Sequence, residues 1–396
     1  MIRSLPFIKS QNPILPLFSV KMNKPWIFLA MILFIGLSLR VYITFFTDLP
    51  HIHQDSNDYF KQANALMNGS YINYFPNGYP ALIALVWSVF ANNLEVLLWL
   101  NIILATVTIY FTYAISKQLF ENELLALATA FLLAIMPTQL NIVRWVISEV
   151  PTVFFLTAAY LCYLRKSYLL SGILMGFATL IRTEMLLIFA LLIVMELLFL
   201  RRFNFRLLIG MMASLMLLGF YCYTKTGKFS ISGHSKVNIM FSITASGSNI
   251  DWKYIDKHPE IKTESDAVKS YLSHMKSEPL QFAKERTANF YELWGVPSPA
   301  DGDRSKMARL IMGAGNVFMV LFGIAGWWWN RRNFNVLTMI LPFFVVTVVH
   351  VLMYATPRYT IPVEPFMIIL ACWMLLKLFS KRSKNINADN RVNSED

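Results

Sequence analysis

The chain has 396 residues, of which 56% are hydrophobic and only 15% charged, yet its formal net charge is +12. Such a composition excludes an ordinary soluble globular domain and places most of the chain in a lipid bilayer. The three cysteines, Cys162, Cys222 and Cys372, all fall inside apolar runs; their spacing supports neither a disulfide framework nor a zinc knuckle and leaves them as small packing residues.

Residues 1–24 are expected to form a cytoplasmic N-terminal segment, with Met22 in "MNKPW" as an alternative start. A helix needs about 20 mainly apolar residues to cross the hydrocarbon core, and about ten runs approach that length. They lie at 26–46, 95–116, 122–141, 149–164, 168–181, 184–200, 205–223, 308–329, 335–354 and 359–379. The first is too long for a cleavable leader and no small-residue cleavage pattern follows it. The piece "PALIALVWSVF", Pro80 to Phe90, is too short to span and is expected to lie along the interface or to re-enter. The fold class expected is an all-α polytopic membrane protein.

Lysine and arginine set the orientation. With the N-terminus in the cytoplasm, Lys117, Arg165, Lys166, Arg201, Arg202, Arg331 and Arg332 all fall at inner loops, as the positive-inside rule requires. Membrane orientation therefore accounts for the basic balance, and no nucleic-acid partner is implied. A membrane domain over 25–382 then carries two extracytoplasmic segments, 47–94 and 225–306, and residues 383–396 form a polar, disordered cytoplasmic tail. The second segment contains a helical pattern in Tyr271, Met275, Phe282 and Phe290 that stops at Gly295 and Pro297.

Chemistry-bearing residues gather on the outer side. The first loop opens with "HIHQDSNDYF", which holds His51, His53, Asp55 and Asp58, while Arg144, Arg182 and Arg358 each fall at an outer helix end with Glu149, Glu184 and Glu364 nearby in sequence. Local pairing is one role for these glutamates. Arginine kept outside, against the charge rule, suggests an anionic ligand, and its planar fork suits phosphate. A carboxylate base beside such a phosphate site is the layout for moving a group from a lipid phosphate to an acceptor hydroxyl. Arg40, in the outer half of the first run, either supports that phosphate or pairs with an acid. His51 and His53 with Asp55 offer ligands for a divalent metal, with headgroup-level surface residues as the alternative. The aromatic residues of the loops serve first as an interfacial belt, with Tyr59, Trp252 and Trp294 as candidate sugar-stacking contacts.

Five stretches in order, "HQDSNDYFKQANALMNG", "YFPNGYPALIALVWSVF", "SEVPTVFF", "GILMGFATLIRTEMLLI" and "PRYTIPVEPF", together resemble the membrane-embedded GT-C glycosyltransferases. The resemblance is to the bacterial group related to protein O-mannosyltransferases and lipid A aminoarabinose transferase, and it runs from about Lys24 to Phe379. It implies an enzyme of the cell membrane that takes a sugar from a polyprenyl-phosphate carrier and works on the extracytoplasmic face. It also implies Asp55 as base. Many members have a contiguous acidic pair there, whereas Ser56 follows Asp55 here and the second carboxylate is Asp58, so the division of roles between the two stays open. Arg358, Arg182, Arg144 and Arg40 are the expected phosphate ligands. The alternative from another class is a transporter or flippase for a lipid-linked or anionic substrate, which would need charged groups near the midplane.

Overall fold

A computed structural model describes residues 23–247, 249–296 and 305–392, with side chains as far as Ser380. Residues 1–22 and 393–396, parts of the two expected terminal segments, lie outside the described residues. Eighteen α-helices follow in chain order among those described. They are α1 (Pro25–Phe45), α2 (Gln54–Met67), α3 (Gly78–Phe90), α4 (Leu94–Phe120), α5 (Glu123–Ile135), α6 (Pro137–Ile142), α7 (Glu149–Leu164), α8 (Tyr168–Ile181) and α9 (Met185–Met195). Then come α10 (Phe205–Thr226), α11 (Ser235–Thr244), α12 (Tyr254–Lys257), α13 (Glu264–Ser277), α14 (Pro279–Trp294), α15 (Lys306–Asn330), α16 (Phe334–Thr338), α17 (Leu341–Leu352) and α18 (Glu364–Val392).

Each of the ten apolar runs is helical, and the chain is a multi-pass membrane protein. By length and composition five helical stretches suffice to cross a bilayer: Pro25–Phe45, Leu94–Phe120, Phe205–Thr226, Lys306–Asn330 and Phe334–Leu352. Five others, among them Gly78–Phe90 and Glu149–Leu164, are apolar but shorter.

Proline sets several of the breaks. The run expected at 122–141 is two helices, because Pro137 has no N–H and forces Met136 into an extended conformation (φ −61°, ψ 122°). The run expected to start at 359 opens instead as a short 3₁₀ turn, Pro357–Thr360, and α18 begins only at Glu364. That last helix continues to Val392, so residues 383–392 extend it where a separate disordered tail was expected.

Lipid tails are as apolar as the side chains facing them, so helices in a bilayer associate through close packing rather than hydrophobic burial. The α8–α10 pair uses this directly. A Cβ on Gly172 would stand 2.1 Å from the Leu207 carbonyl oxygen, so only glycine permits this approach of the two backbones. The main core lies among α4, α5, α7, α15, α17 and α18, around fully buried Ile109, Leu125, Leu133 and Phe366.

Ion pairs and hydrogen bonds bring the start of α2, the start of α7, the end of α8, the end of α17 and the Pro357–Thr360 turn together at one end of the bundle. The segment from α11 to α14 packs over that same end. Its seam with the first loop is specific: Gly233 N–H donates to the Tyr74 carbonyl (3.2 Å) and Asn73 to Ser230 (3.3 Å).

Candidate active site at one end of the bundle

The site is built outward from the N-terminus of α2. His53 caps this helix: its Nδ1 accepts the Asp55 amide at 3.2 Å, and its own amide donates to Ser56 Oγ at 3.0 Å. Ser56 Oγ in turn donates to the Val146 carbonyl (2.9 Å), which fastens α2 to the chain entering α7. Asp55 thereby sits in the first helical turn, where unpaired amides and the helix dipole favour a negative charge.

Arg358, in the 3₁₀ turn, reaches Asp55 Oδ2 with Nη2 at 2.6 Å, Glu149 Oε1 with Nε at 3.4 Å and His53 Nδ1 with Nη1 at 3.2 Å. Glu149 Oε1 also takes Arg182 Nη1 at 3.1 Å, and Arg182 Nε meets Glu184 Oε1 at 2.5 Å. His350 closes the set, with Nε2 at 3.4 Å from Arg182 Nη2 and its ring stacked 4.1 Å from Tyr359. Residues spread over three hundred positions of sequence form one network of two guanidiniums, three carboxylates and two imidazoles.

Electrostatics follow from this geometry. Burial by itself would raise the Asp55 pKa, but the Arg358 charge and hydrogen bond outweigh it and hold the carboxyl below the ordinary aspartate range. Burial and Arg358 together lower the His53 pKa against the pull of Asp55 and Glu149, which favours the neutral ring whose Nδ1 accepts the Asp55 amide. Arg358 goes the other way: burial opposes its charge, yet Glu149 and Asp55 raise it well above the usual value. Each terminal nitrogen of its guanidinium carries two N–H bonds, so donors remain for a ligand oxygen beside those already engaged.

Asp55, Arg358 and Arg182 come together as the sequence suggests. Other expected site residues do not. Asp58 turns outward to Lys61 at 3.2 Å. Arg144 lies close by but is tied to the Pro50 carbonyl (2.5 Å) and Asn141 (2.9 Å), with its guanidinium over Trp145. Arg40 is fully buried and donates to the Gly36 and Ala134 carbonyls (3.0 and 3.1 Å), bracing α1 against α5 rather than joining the arginine pair. Tyr59 is buried between Phe75 and Tyr79, so it has no face for a sugar. Trp294 is only 3% exposed and its indole donates to Thr347; it too is a packing residue. Trp252 remains 57% exposed, edge-on to Phe241 and Tyr354.

The metal reading is not supported by the residues present. Among the described residues no group of three histidine, cysteine, aspartate or glutamate side chains is placed to hold an ion. His53 Nδ1 is committed to the Asp55 amide and to Arg358.

Sequence reasoning left Glu149 and Glu184 between site and local pairing, and it missed His350 and His234 as neighbours of the site. His234 is buried against Tyr74 and Phe75 (4.4 and 4.7 Å between rings). Burial pushes its pKa down to about 4 against the pull of Asp55 and Asp58. A histidine in a polar loop carries no local signal of such a position.

Helices of uneven length, with a polar centre at one end under a helical cap, make up this polytopic membrane fold. Residues 76–223 match the family model described as dolichyl-phosphate-mannose-protein mannosyltransferase, a stretch that contains Glu149, Arg182 and Glu184 and leaves out Asp55 and Arg358. Two solved structures of the Archaeoglobus fulgidus oligosaccharyltransferase are similar in fold. The apo form superposes with a TM-score of 0.57 at 12% identity, over 94% of this chain and 52% of that one. The form tethered to an acceptor peptide containing the NVT sequon gives 0.54 at 14% identity, over 91% of this chain and 50% of that one. The chain thus spans about half the length of these relatives. No curated protein matches it in sequence.

Proposed function

We propose that the chain is a glycosyltransferase that moves a sugar from a polyprenyl-phosphate carrier to an acceptor hydroxyl, at the face of the cell membrane opposite its basic loops. The observation that carries this reading is the placement of Asp55 and Arg358, one carboxylate oxygen 2.6 Å from one guanidinium nitrogen, where the ends of α2, α7 and α8 converge. The likeness to a mannosyltransferase family and to an oligosaccharyltransferase fold supports the same chemistry.

In this reading the donor phosphate meets Arg358, with Arg182 behind it through their shared partner Glu149. Phosphate charge draws on the Arg358 guanidinium, which weakens its hold on Asp55 and raises the basicity of that carboxylate as the donor arrives. Asp55 takes the acceptor proton. The acceptor oxygen bonds to the anomeric carbon, the bond from that carbon to the phosphate oxygen breaks, and the electron pair leaves with polyprenyl phosphate, whose charge the arginines neutralise. A single displacement inverts the anomeric centre. Acceptors of this chemistry are envelope glycolipids, polymers or proteins.

The gathering of these charges at helix ends, rather than at midspan, favours transfer over the alternating access of a transporter. Asp55→Asn tests the reading, since the amide keeps the size of the carboxylate but takes no proton at neutral pH. Transfer from a synthetic polyprenyl-phosphate sugar in detergent is expected to fall about 10²- to 10⁴-fold with donor binding retained. Near-normal turnover by a folded Asp55→Asn protein would remove Asp55 as base.

A further inference from the structure

The last carbonyls of any helix lack partners within the helix and must find them elsewhere. Those of α17 find them in the external segment. Arg286 Nη1 donates to the Leu352 and Met353 carbonyls (2.5 and 3.0 Å), and Asn289 Nδ2 to those of Val351 and Met353 (3.1 and 3.2 Å). Tyr271 Oη adds a bond to Leu352 O at 2.6 Å. The same Arg286 also holds, through Nη2, the Ser242 and Ala245 carbonyls at the end of α11 (3.0 and 2.8 Å). Asn289 accepts the Gly247 amide there (2.8 Å). Both side chains are buried, and Arg286 packs under the Phe282 ring at 4.8 Å.

Only Tyr354, Ala355 and Thr356 separate this anchorage from the Pro357–Thr360 turn that carries Arg358. Tyr354 extends the tie: its carbonyl lies 3.2 Å from His350 Nδ1 and its hydroxyl donates to Asn238 of α11 at 3.3 Å. With Met353 fixed at one side and Pro357 restricting the backbone at the other, little freedom is left for the Arg358 guanidinium.

We infer that Arg286 and Asn289, assisted by Tyr271, are positioning residues for the phosphate-binding Arg358, so that the external segment governs the donor side of the site. The inference rests on the reading of Arg358 as phosphate ligand. It gives the segment a role on the donor side of the site. Buried arginine suits the task because the N–H directions of one rigid planar fork can hold carbonyls of two different elements in a fixed geometry.

The test is a double-mutant cycle on binding of farnesyl phosphate, a short polyprenyl phosphate, to the purified full chain in detergent, followed by calorimetric titration. Arg358→Gln is expected to weaken binding about tenfold or more, the worth of a charge-assisted bond. Arg286→Gln is expected to weaken it by a similar factor although it lies outside the phosphate contacts, and Tyr271→Phe, which keeps the ring and so the fold, by a smaller one. In the Arg358→Gln background neither change is expected to weaken binding further, because both act through the guanidinium already removed. Additive losses, or Arg286→Gln and Tyr271→Phe proteins that bind as wild type, would overturn the positioning role. Full binding by Arg358→Gln would instead overturn the phosphate reading of Arg358. If Arg286→Gln does not fold, the Tyr271→Phe arm of the cycle decides alone.

Discussion

Asp55 owes its character to opposed influences: burial raises its pKa, and the Arg358 cation and its hydrogen bond lower it. Its lowered pKa means that the folded state favours the ionised form. The stability this contributes is fully present above the unfolded value of 3.8 and is lost as pH falls through the lower folded value. Activity should follow the same group. In the Arg358→Gln protein only burial and weaker charges remain, so the acid limb of kcat/KM should move to higher pH. Arg358→Lys keeps the cation and should leave the limb in place, while donor KM rises about tenfold for the lost second arm of the fork. The measurement is a pH–rate profile of the two variants side by side, and identical limbs in Arg358→Gln and wild type would detach Asp55 from Arg358.

At the scale of elements, contacts too close for any side chain order the helices. Gly78 opens α3 with its Cα against the Leu180 carbonyl, 2.5 Å from where a Cβ would stand, just before Arg182. This fixes the first loop to the same helix end that supplies an arginine to the site. Gly172 does likewise between α8 and α10. Gly172→Ala should therefore destabilise the protein by about 1–3 kcal/mol, the usual cost of overpacking. Gly315→Ala on α15, where a Cβ would meet nothing within 4 Å, should be neutral or stabilising by up to about 1 kcal/mol through helix propensity. Thermal unfolding in detergent separates the two; equal Tm values would mean that α8 and α10 are not packed through glycine.

For the whole molecule, the α11–α14 cap meets the site at the end of α17, while Lys117 lies in the last turn of α4 and Arg165, Lys166, Arg201, Arg202, Arg331 and Arg332 lie in the α7–α8, α9–α10 and α15–α16 connections. If the positive-inside rule sets the orientation, single cysteines at the exposed positions Asn57 and Ser265 should react with an impermeant reagent in intact cells, in a background free of Cys162, Cys222 and Cys372. A cysteine at the exposed Ser167 should react only after lysis. The opposite pattern would turn the bundle over and place the site in the cytoplasm.

The apolar runs, their number and the sidedness of their basic loops are local properties of the sequence, because lipid demands about 20 apolar residues per crossing and every backbone polar group bonded within the helix. Candidate residues were legible where they broke a local rule: an aspartate-rich start after an apolar run, an arginine between prolines, arginines on the side that should lack them. Which of them share a site was not legible. Arg40 and Arg358 are both arginines near helix ends, yet one braces two backbones and the other pairs with Asp55. Trp252 and Trp294 sit in the same α11–α14 segment, one open and one sealed under Phe343. The promotion of Glu149 to the bridge between two arginines depends on α7, α8 and the 3₁₀ turn converging. Periodicity fixes which way a residue points on its own helix. Only the packing of helices far apart in the chain, set by where small residues let backbones meet, decides what it points at.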